Sequence, residues 1–144
     1  MIIEENKDNP ILRKKTQTIK KIDENILDLA QQMIQTMEKA NGIGLAANQV
    51  GKDLKMFVLP KDLLSKQIFI NPEILKLSKK TKIMEEGCLS LPGLEKLVKR
   101  STSLKIKALD ENNKEFKLKI KGIPARVIQH EIDHLNGILI TDYE

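Results

Sequence analysis

The chain is poor in cysteine, histidine and aromatic residues, and each shortage limits what it can be. Among its 144 residues there is one cysteine, Cys88, so no internal disulfide can form and a reducing cytoplasm is the expected compartment. With three Phe, one Tyr and no Trp it lacks the aromatic platform on which proteins stack bases. No apolar run approaches the roughly 20 residues that span a bilayer, and the N-terminus shows no secretory signal pattern. These absences predict a soluble cytoplasmic protein that has no membrane partner.

The charge balance is mildly basic, with a formal net charge of +5. Lysines are interspersed with acidic residues, as in "DENNKEFKLK", which is typical of a solvated surface. We therefore expect no direct nucleic-acid site. The positive balance leaves transient proximity to the ribosome as an alternative.

The length suits one domain, and we expect residues 1–144 to form a single catalytic domain. Between Ile22 and Ala40 apolar residues recur every three to four positions, which predicts an N-terminal helix capped by Asp23 and stopped at Gly42. "KMFVL" and "QIFI" read as short strands, closed by Pro60 and Pro72.

The second half of the chain predicts a hairpin followed by a helix. Leu104, Ile106 and Ala108 alternate with polar residues, as do Phe116, Leu118 and Ile120, and "DENN" lies between the two runs. Beyond Gly122, a proline in the first turn opens "ARVIQHEIDHL", which runs to Gly137. Strands do not alternate with helices, so the expected class is α+β, with antiparallel strands around this C-terminal helix.

The last helix carries both histidines, in "QHEIDHLNG". His130 and His134 are four residues apart, so on a helix both imidazoles can reach one cation. Glu131 lies beside them and can take a proton from a water on the metal without being a ligand. The spacing therefore favours a metal centre over two surface histidines.

A third ligand must come from elsewhere, and Cys88 in "EEGCLSLPG" is the remaining soft donor. No further Cys or His can close the fourth position, which favours a catalytic site over a structural one. These ligands suit Zn²⁺, Fe²⁺, Co²⁺ or Ni²⁺.

The segment "GIGLAANQVG", Gly42 to Gly51, follows the first helix. Its glycines lack the spacing and context of a phosphate-binding loop, so a helix stop and turn is the simplest interpretation. Gly44 permits close approach of another backbone, and Gln49 can donate an amide hydrogen bond to a developing oxyanion.

Taken in order, "GIGLAANQVG", "EEGCLSLPG" and "QHEIDHLNG" resemble the peptide deformylase family, and the similarity extends over nearly the whole chain. The resemblance implies removal of the formyl group from N-terminal N-formylmethionine of nascent polypeptides, with release of formate. It implies metal ligands at Cys88, His130 and His134, and a single divalent ion that is natively Fe²⁺.

The resemblance also assigns roles to the remaining site residues. Glu131 is the expected general base, and Gln49 with the backbone N–H of Leu89 is expected to stabilise the oxyanion. Gly44 is expected to pair with the extended substrate, and Ile43 and Val127 to wall a methionine pocket.

Two departures from the family pattern stand out. Asn48 occupies the position before Gln49 where the family usually has proline, which predicts a less rigid loop and a less well placed Gln49. The chain also ends at "ITDYE", without the C-terminal helix of many bacterial members.

Three further expectations remain open. Glu86 is expected to orient a metal-binding histidine, and Asp133 to pair with Arg100, although plain ion pairs are nearly as compatible with the sequence. The rival functions are a peptidase that uses the same helix motif and a non-catalytic protein that retains the site as a relic.

Overall fold

The structure, a computed structural model, describes residues 1–144 as an antiparallel sheet, a separate hairpin and two principal helices. The helices are α1 (Pro10–Arg13), α2 (Glu24–Lys39) and α3 (Ile123–Leu135), with short 3-10 helices at Ala47–Val50 and Ile140–Asp142. The strands are β1 (Leu45–Ala46), β2 (Met56–Val58), β3 (Ile68–Leu77), β4 (Thr81–Gly87), β5 (Glu95–Ser101), β6 (Ser103–Leu109) and β7 (Glu115–Lys121).

Five strands form one sheet in the order β1-β2-β3-β6-β7, and β4 pairs only with β5. Every strand pair is antiparallel, so the predicted α+β class is confirmed. In the sequence, the β4–β5 hairpin lies between β3 and β6, which are hydrogen-bonded neighbours in the five-stranded sheet. No helix combines the length and apolar composition needed to cross a bilayer.

Helix α2 forms where the apolar periodicity predicts it. The Asp23 side chain accepts a hydrogen bond from the Ile26 N–H, which caps the first turn as expected. The predicted stop at Gly42 is slightly wrong. Asn41 takes the left-handed conformation, with φ of 56°, and Gly42 then donates its N–H to the Met37 carbonyl at 2.9 Å.

Strand β3 is longer than its sequence predicts. The expected strand ended before Pro72, but the pairing of β3 with β6 continues to Leu77. A register shift between Ile70 and Glu73 accommodates the proline, which has no N–H to donate to the ladder. The prediction of a strand end at Pro72 was therefore wrong.

The predicted β6–β7 hairpin is confirmed, whereas the β4–β5 hairpin was missed. Of the β4–β5 residues, only Glu86, Val98 and Arg100 are buried. Because two of these three inward positions carry charges, the hairpin lacks the alternation of apolar and polar residues by which a half-buried strand is recognised.

Helix α3 covers one face of the sheet. Its Ala125, Ile128 and Leu135 pack with Leu104, Ile106 and Ile120 of the sheet in one core cluster. Pro124 lies in its first turn, and Gly137 beyond its end has φ of 76°, as the sequence predicts. This packing fixes the helix that carries both histidines.

The opposite face of the sheet carries lysines in two different electrostatic settings. Lys105 on β6 has Lys76 on one neighbouring strand and Lys119 on the other as its cross-strand partners. Two positions along, Lys107 lies 3.5 Å from Glu73 and 3.9 Å from Glu115. The row Lys76–Lys105–Lys119 therefore has no acidic partner, whereas Lys107, although Lys117 is its direct partner on β7, has a glutamate nearby on each neighbouring strand.

We predict opposite stability effects for the two lysines. Lys105→Gln removes repulsion between directly opposed charges and should raise the free energy of unfolding by about 0.2–1 kcal/mol. Lys107→Gln removes an exposed ion pair and should lower it by up to about 1 kcal/mol. Urea unfolding at low salt measures both. A Lys105→Gln variant less stable than the wild type would contradict the proposed repulsion between Lys105 and its two cross-strand lysines.

Candidate metal centre

The two histidines converge as their spacing predicts. Helix α3 holds His130 and His134 one turn apart, with their Nε2 atoms 3.1 Å from each other. His134 is 1% exposed, so its imidazole is withdrawn from solvent. Two imidazole nitrogens this close, both facing the same point, are positioned for one cation.

Cys88 completes the cluster from the turn that follows β4. Its Sγ lies 3.3 Å from His134 Nε2, and the three ligand atoms all fall within 4.8 Å of one another. A tetrahedral ion with bonds of about 2.1–2.3 Å has ligand-to-ligand edges of about 3.5 Å. The three residues therefore fit one divalent ion, as the sequence predicts, and thiolate with imidazole suits Fe²⁺, Zn²⁺, Co²⁺ or Ni²⁺.

Glu86 orients His130. Its Oε1 lies 2.9 Å from His130 Nδ1. Burial opposes ionisation, but hydrogen bonds with His130 and Arg100 lower the pKa of Glu86 to about 2, so it is a carboxylate and accepts. Nδ1 must then carry the proton, which leaves the Nε2 lone pair free for a metal. The expected role of Glu86 agrees with this contact.

A buried network of charges surrounds Glu86. Arg100 donates to both of its oxygens at 2.7 and 2.9 Å, and Arg126 donates to one of them at 2.5 Å. Arg100 also donates to Asp133 at 2.8 Å, the pair expected from the sequence. The Tyr143 hydroxyl donates to Asp133 at 2.5 Å. Each buried charge thus has a partner, which offsets the cost of its desolvation.

The electrostatics of the cluster favour a bound cation. Burial, followed by the proximity of His130, lowers the pKa of His134 well below its ordinary value, so this imidazole is neutral and can be a ligand. At His130 burial opposes protonation, but hydrogen bonds with Cys88 and Glu86 raise the pKa to about 10. Cys88 and Glu86, the neighbours that favour a proton on His130, favour a metal cation at the same place.

Glu131 lies beside the ligands with one oxygen unpartnered. It is 3% exposed, and its Oε1 has no hydrogen-bond partner within the protein. Burial raises the pKa of Glu131 to about 7. A Cβ added at Gly44 would lie 2.6 Å from Glu131 Oε2, so the glycine is required for the carboxylate to occupy this position. A buried carboxylate of this kind is available for proton transfer.

Gln49 reaches the cluster from the 3-10 helix after β1. Its Nε2 lies 3.7 Å from Cys88 Sγ and donates to Ser90 Oγ at 3.1 Å, while its Oε1 accepts from the Ala46 N–H at 2.9 Å. Asn48, fully buried, donates to the His134 carbonyl at 2.6 Å. Asn48 therefore ties this loop to α3 at the position where the family usually has proline.

Three other predicted site residues occupy different settings. Leu89 follows Cys88 directly and packs against the α2 core. Ile43 is 63% exposed at the start of the loop, and Val127 is 3% exposed within the core beneath α3. Ile43 thus presents free apolar surface, whereas Val127 has almost none.

Four contributors were missed from the sequence. Arg126 binds Glu86, Ser90 accepts from Gln49, Asn48 binds the His134 carbonyl, and Tyr143 bonds to Asp133. Arg126 had a usable signal, because it is a charge among the apolar residues of the buried face of α3. The other three are polar residues in a short 3-10 helix (Asn48), a turn (Ser90) and the segment after the last 3-10 helix (Tyr143), where the sequence does not show what they contact.

Comparison with known proteins agrees with this geometry. The family model described as polypeptide deformylase matches residues 3–143. The chain belongs to this family. It is 50% identical to peptide deformylase 1 of Clostridium perfringens over 138 residues, covering 95% of this chain and 93% of that protein.

Two further deformylases show the same likeness. The peptide deformylase of Dictyoglomus thermophilum is 46% identical over 134 residues, covering 93% of this chain and 86% of that protein. The crystal structure of the Thermotoga maritima peptide deformylase superposes with a TM-score of 0.93 at 40% identity, covering 98% of this chain and 95% of that one. The family resemblance inferred from the three motifs is confirmed.

The buried network gives a stability prediction. Arg100→Met leaves Glu86 and Asp133 without their main counter-charge and should lower the free energy of unfolding by about 3–5 kcal/mol. The control Lys14→Met removes the exposed pair with Asp53, in which Lys14 is 58% exposed, and should cost less than about 1 kcal/mol. Chemical unfolding of the two variants checks this, and similar losses would mean that the Arg100 network contributes no more than a surface pair.

Proposed function

We propose that this protein removes the formyl group from the N-terminal N-formylmethionine of nascent polypeptides and releases formate. The observation that carries the proposal is the convergence of Cys88, His130 and His134, with the buried carboxylate of Glu131 beside them, in a chain of the deformylase family. A purely structural metal site would not need such a carboxylate beside its ligands.

We further propose that Cys88, His130 and His134 hold one divalent ion, with Fe²⁺ as the native metal and Zn²⁺, Ni²⁺ or Co²⁺ as replacements. When bound, the ion supplies a Lewis acid that polarises the formyl carbonyl and makes water acidic enough to react near neutral pH. Three protein ligands would leave such an ion a position for water or substrate, which suits catalysis. The neutral His134 and the oriented His130 are the two imidazole ligands in this assignment.

The chain's own residues move the proton and stabilise the developing charge. Glu131 accepts a proton from the attacking water and later delivers it to the leaving amine. The Gln49 amide and the backbone N–H of Leu89 donate to the oxyanion as the carbonyl carbon becomes tetrahedral. The hydrogen bond from Ala46 to Gln49 Oε1 supports this role, because it turns the NH₂ group of the amide toward Cys88.

The substrate approaches along the loop that contains Gly44. In this proposal the extended peptide pairs with the backbone at Gly44, and Ile43 and Val127 border the methionine side chain. The exposed side chain of Ile43 supports its part, since it offers apolar surface next to Gly44, which lies against Glu131. A formyl carbon bears only hydrogen, so it fits a tight centre that excludes larger acyl groups.

The proposed reaction also indicates the domain organisation, the cellular compartment and the partners. We propose that residues 1–144 act as a single catalytic domain in the cytoplasm, where formylated nascent peptides are the partners, with transient proximity to the ribosome. The single cysteine is consistent with a reducing compartment.

The decisive substitution is Glu131→Gln. It preserves the shape of the side chain but removes the proton acceptor, so formate release from formyl-Met-Ala-Ser should fall about 100- to 10,000-fold while metal content stays unchanged. Glu38→Gln, at an exposed position of α2, is the matched control and should retain full activity. Equal activity of Glu131→Gln and wild type would rule out the general-base role, and cleavage of internal peptide bonds would favour the peptidase.

Gly44→Ala tests the close approach to Glu131. Because the added Cβ would lie 2.6 Å from Glu131 Oε2, the carboxylate must shift, and we expect kcat to fall at least about tenfold with metal retained. In the control Gly87→Ala, the nearest atom to the new Cβ is the Leu94 carbonyl oxygen at 3.7 Å, an ordinary contact, and activity should persist. Steady-state formate assays distinguish them. An unaffected Gly44→Ala would show that Glu131 does not need this position.

A further inference from the structure

The outer face of the sheet contains a basic groove remote from the catalytic residues. It has a volume of about 750 Å³ and is lined by ten residues of β3, β6, β7 and the turn after β3. None of the ten is acidic; three are apolar (Leu77, Leu104 and Ile120), two are serines, and five are lysines: Lys76, Lys79, Lys105, Lys119 and Lys121. None of the five forms an ion pair.

The strand register, rather than the composition, creates this concentration of charge. Lys76, Lys105 and Lys119 are direct cross-strand partners, so their backbones lie in a row about 4.8 Å apart. Opposed like charges destabilise a sheet. Lys107, which faces Lys117 on β7, still has Glu73 and Glu115 within 4 Å, whereas the lysines of the groove have no acidic neighbour of this kind. The lysines of the groove have no such compensation within the chain, so they are free to contact an anionic partner.

We propose that this groove binds the phosphate backbone of RNA without reading its sequence. A row of cations inside a concave surface fits a linear polyanion, whereas a flat bilayer would contact only its rim. The lining contains no aromatic residue for stacking and no Arg, Asn or Gln for base edges. Lysines that contact phosphates alone give affinity without sequence preference.

The choice of RNA over DNA rests on the proposed function, since nascent polypeptides are synthesised on RNA-containing machinery. The position of the groove is compatible with that function. By strand alternation Lys105 and Lys119 point away from Leu104 and Ile120, which pack beneath α3. A bound RNA would therefore lie across the sheet from the metal centre and leave it open to the peptide.

The test is fluorescence anisotropy with a labelled mixed-sequence RNA duplex of about 20 base pairs, titrated at several KCl concentrations between about 50 and 200 mM. The groove variant is Lys76→Gln/Lys105→Gln/Lys119→Gln. The control Lys20→Gln/Lys39→Gln/Lys61→Gln makes the same charge change at exposed positions away from the groove. Wild type and control should bind alike, while the groove variant should bind at least about tenfold more weakly, with a salt slope reduced by about two to three.

Three results would overturn the proposal. These are no RNA binding by the wild type at the lowest salt, equal weakening in both triple variants, or a DNA duplex or phosphatidylserine vesicles that displace the RNA more effectively than unlabelled RNA does. Formate release from free formyl-Met-Ala-Ser, measured in parallel, should be unchanged in the groove variant. Because that assay contains no RNA and the binding assay contains no peptide, failure of either proposal is seen separately.

Discussion

One buried carboxylate, Glu86, holds the metal centre together. It accepts two hydrogen bonds from Arg100, one from Arg126 and one from His130, which uses the full acceptor capacity of both oxygens. These donors come from β5 and α3, whereas Glu86 itself lies on β4. The carboxylate therefore joins the β4–β5 hairpin to the last helix and sets the tautomer of His130 in the same contact.

The position of Cys88 follows from this junction. It comes two residues after Glu86, so fixing the end of β4 against α3 delivers its sulfur to the two imidazoles. On the other side Asn48 ties the Gln49 loop to the His134 carbonyl. Three separate chain segments thus meet at one point, and the packing of α3 on the sheet carries Glu131 to the same place. In some other proteins an ion network can be replaced by apolar residues without loss of the fold, but here the replacement would lose the orientation of His130.

The sequence predicted that Cys88, His130 and His134 come together, and it predicted helices α2 and α3, for clear physical reasons. His130 and His134 share a helix, where spacing alone determines which side chains share a face, and Cys88 is the single cysteine.

The sequence did not predict the β4–β5 hairpin, because Glu86 and Arg100 occupy inward positions that are normally apolar. Nor did it predict the lysine row, since cross-strand register between β3, β6 and β7 cannot be read from local composition, and the lysines looked evenly scattered. The extension of β3 past Pro72 depended likewise on a bulge that only tertiary pairing stabilises.

The proposed reaction depends on a divalent ion bound by one sulfur and two nitrogens, with a coordination position left for water or substrate. Anomalous diffraction at the iron edge from crystals of the Fe²⁺-loaded protein tests this most directly. We predict a single peak about 2.0–2.4 Å from Cys88 Sγ and from the Nε2 atoms of His130 and His134, with no fourth protein ligand. A peak away from these atoms, or one enclosed by a fourth protein ligand such as Glu131, would contradict it.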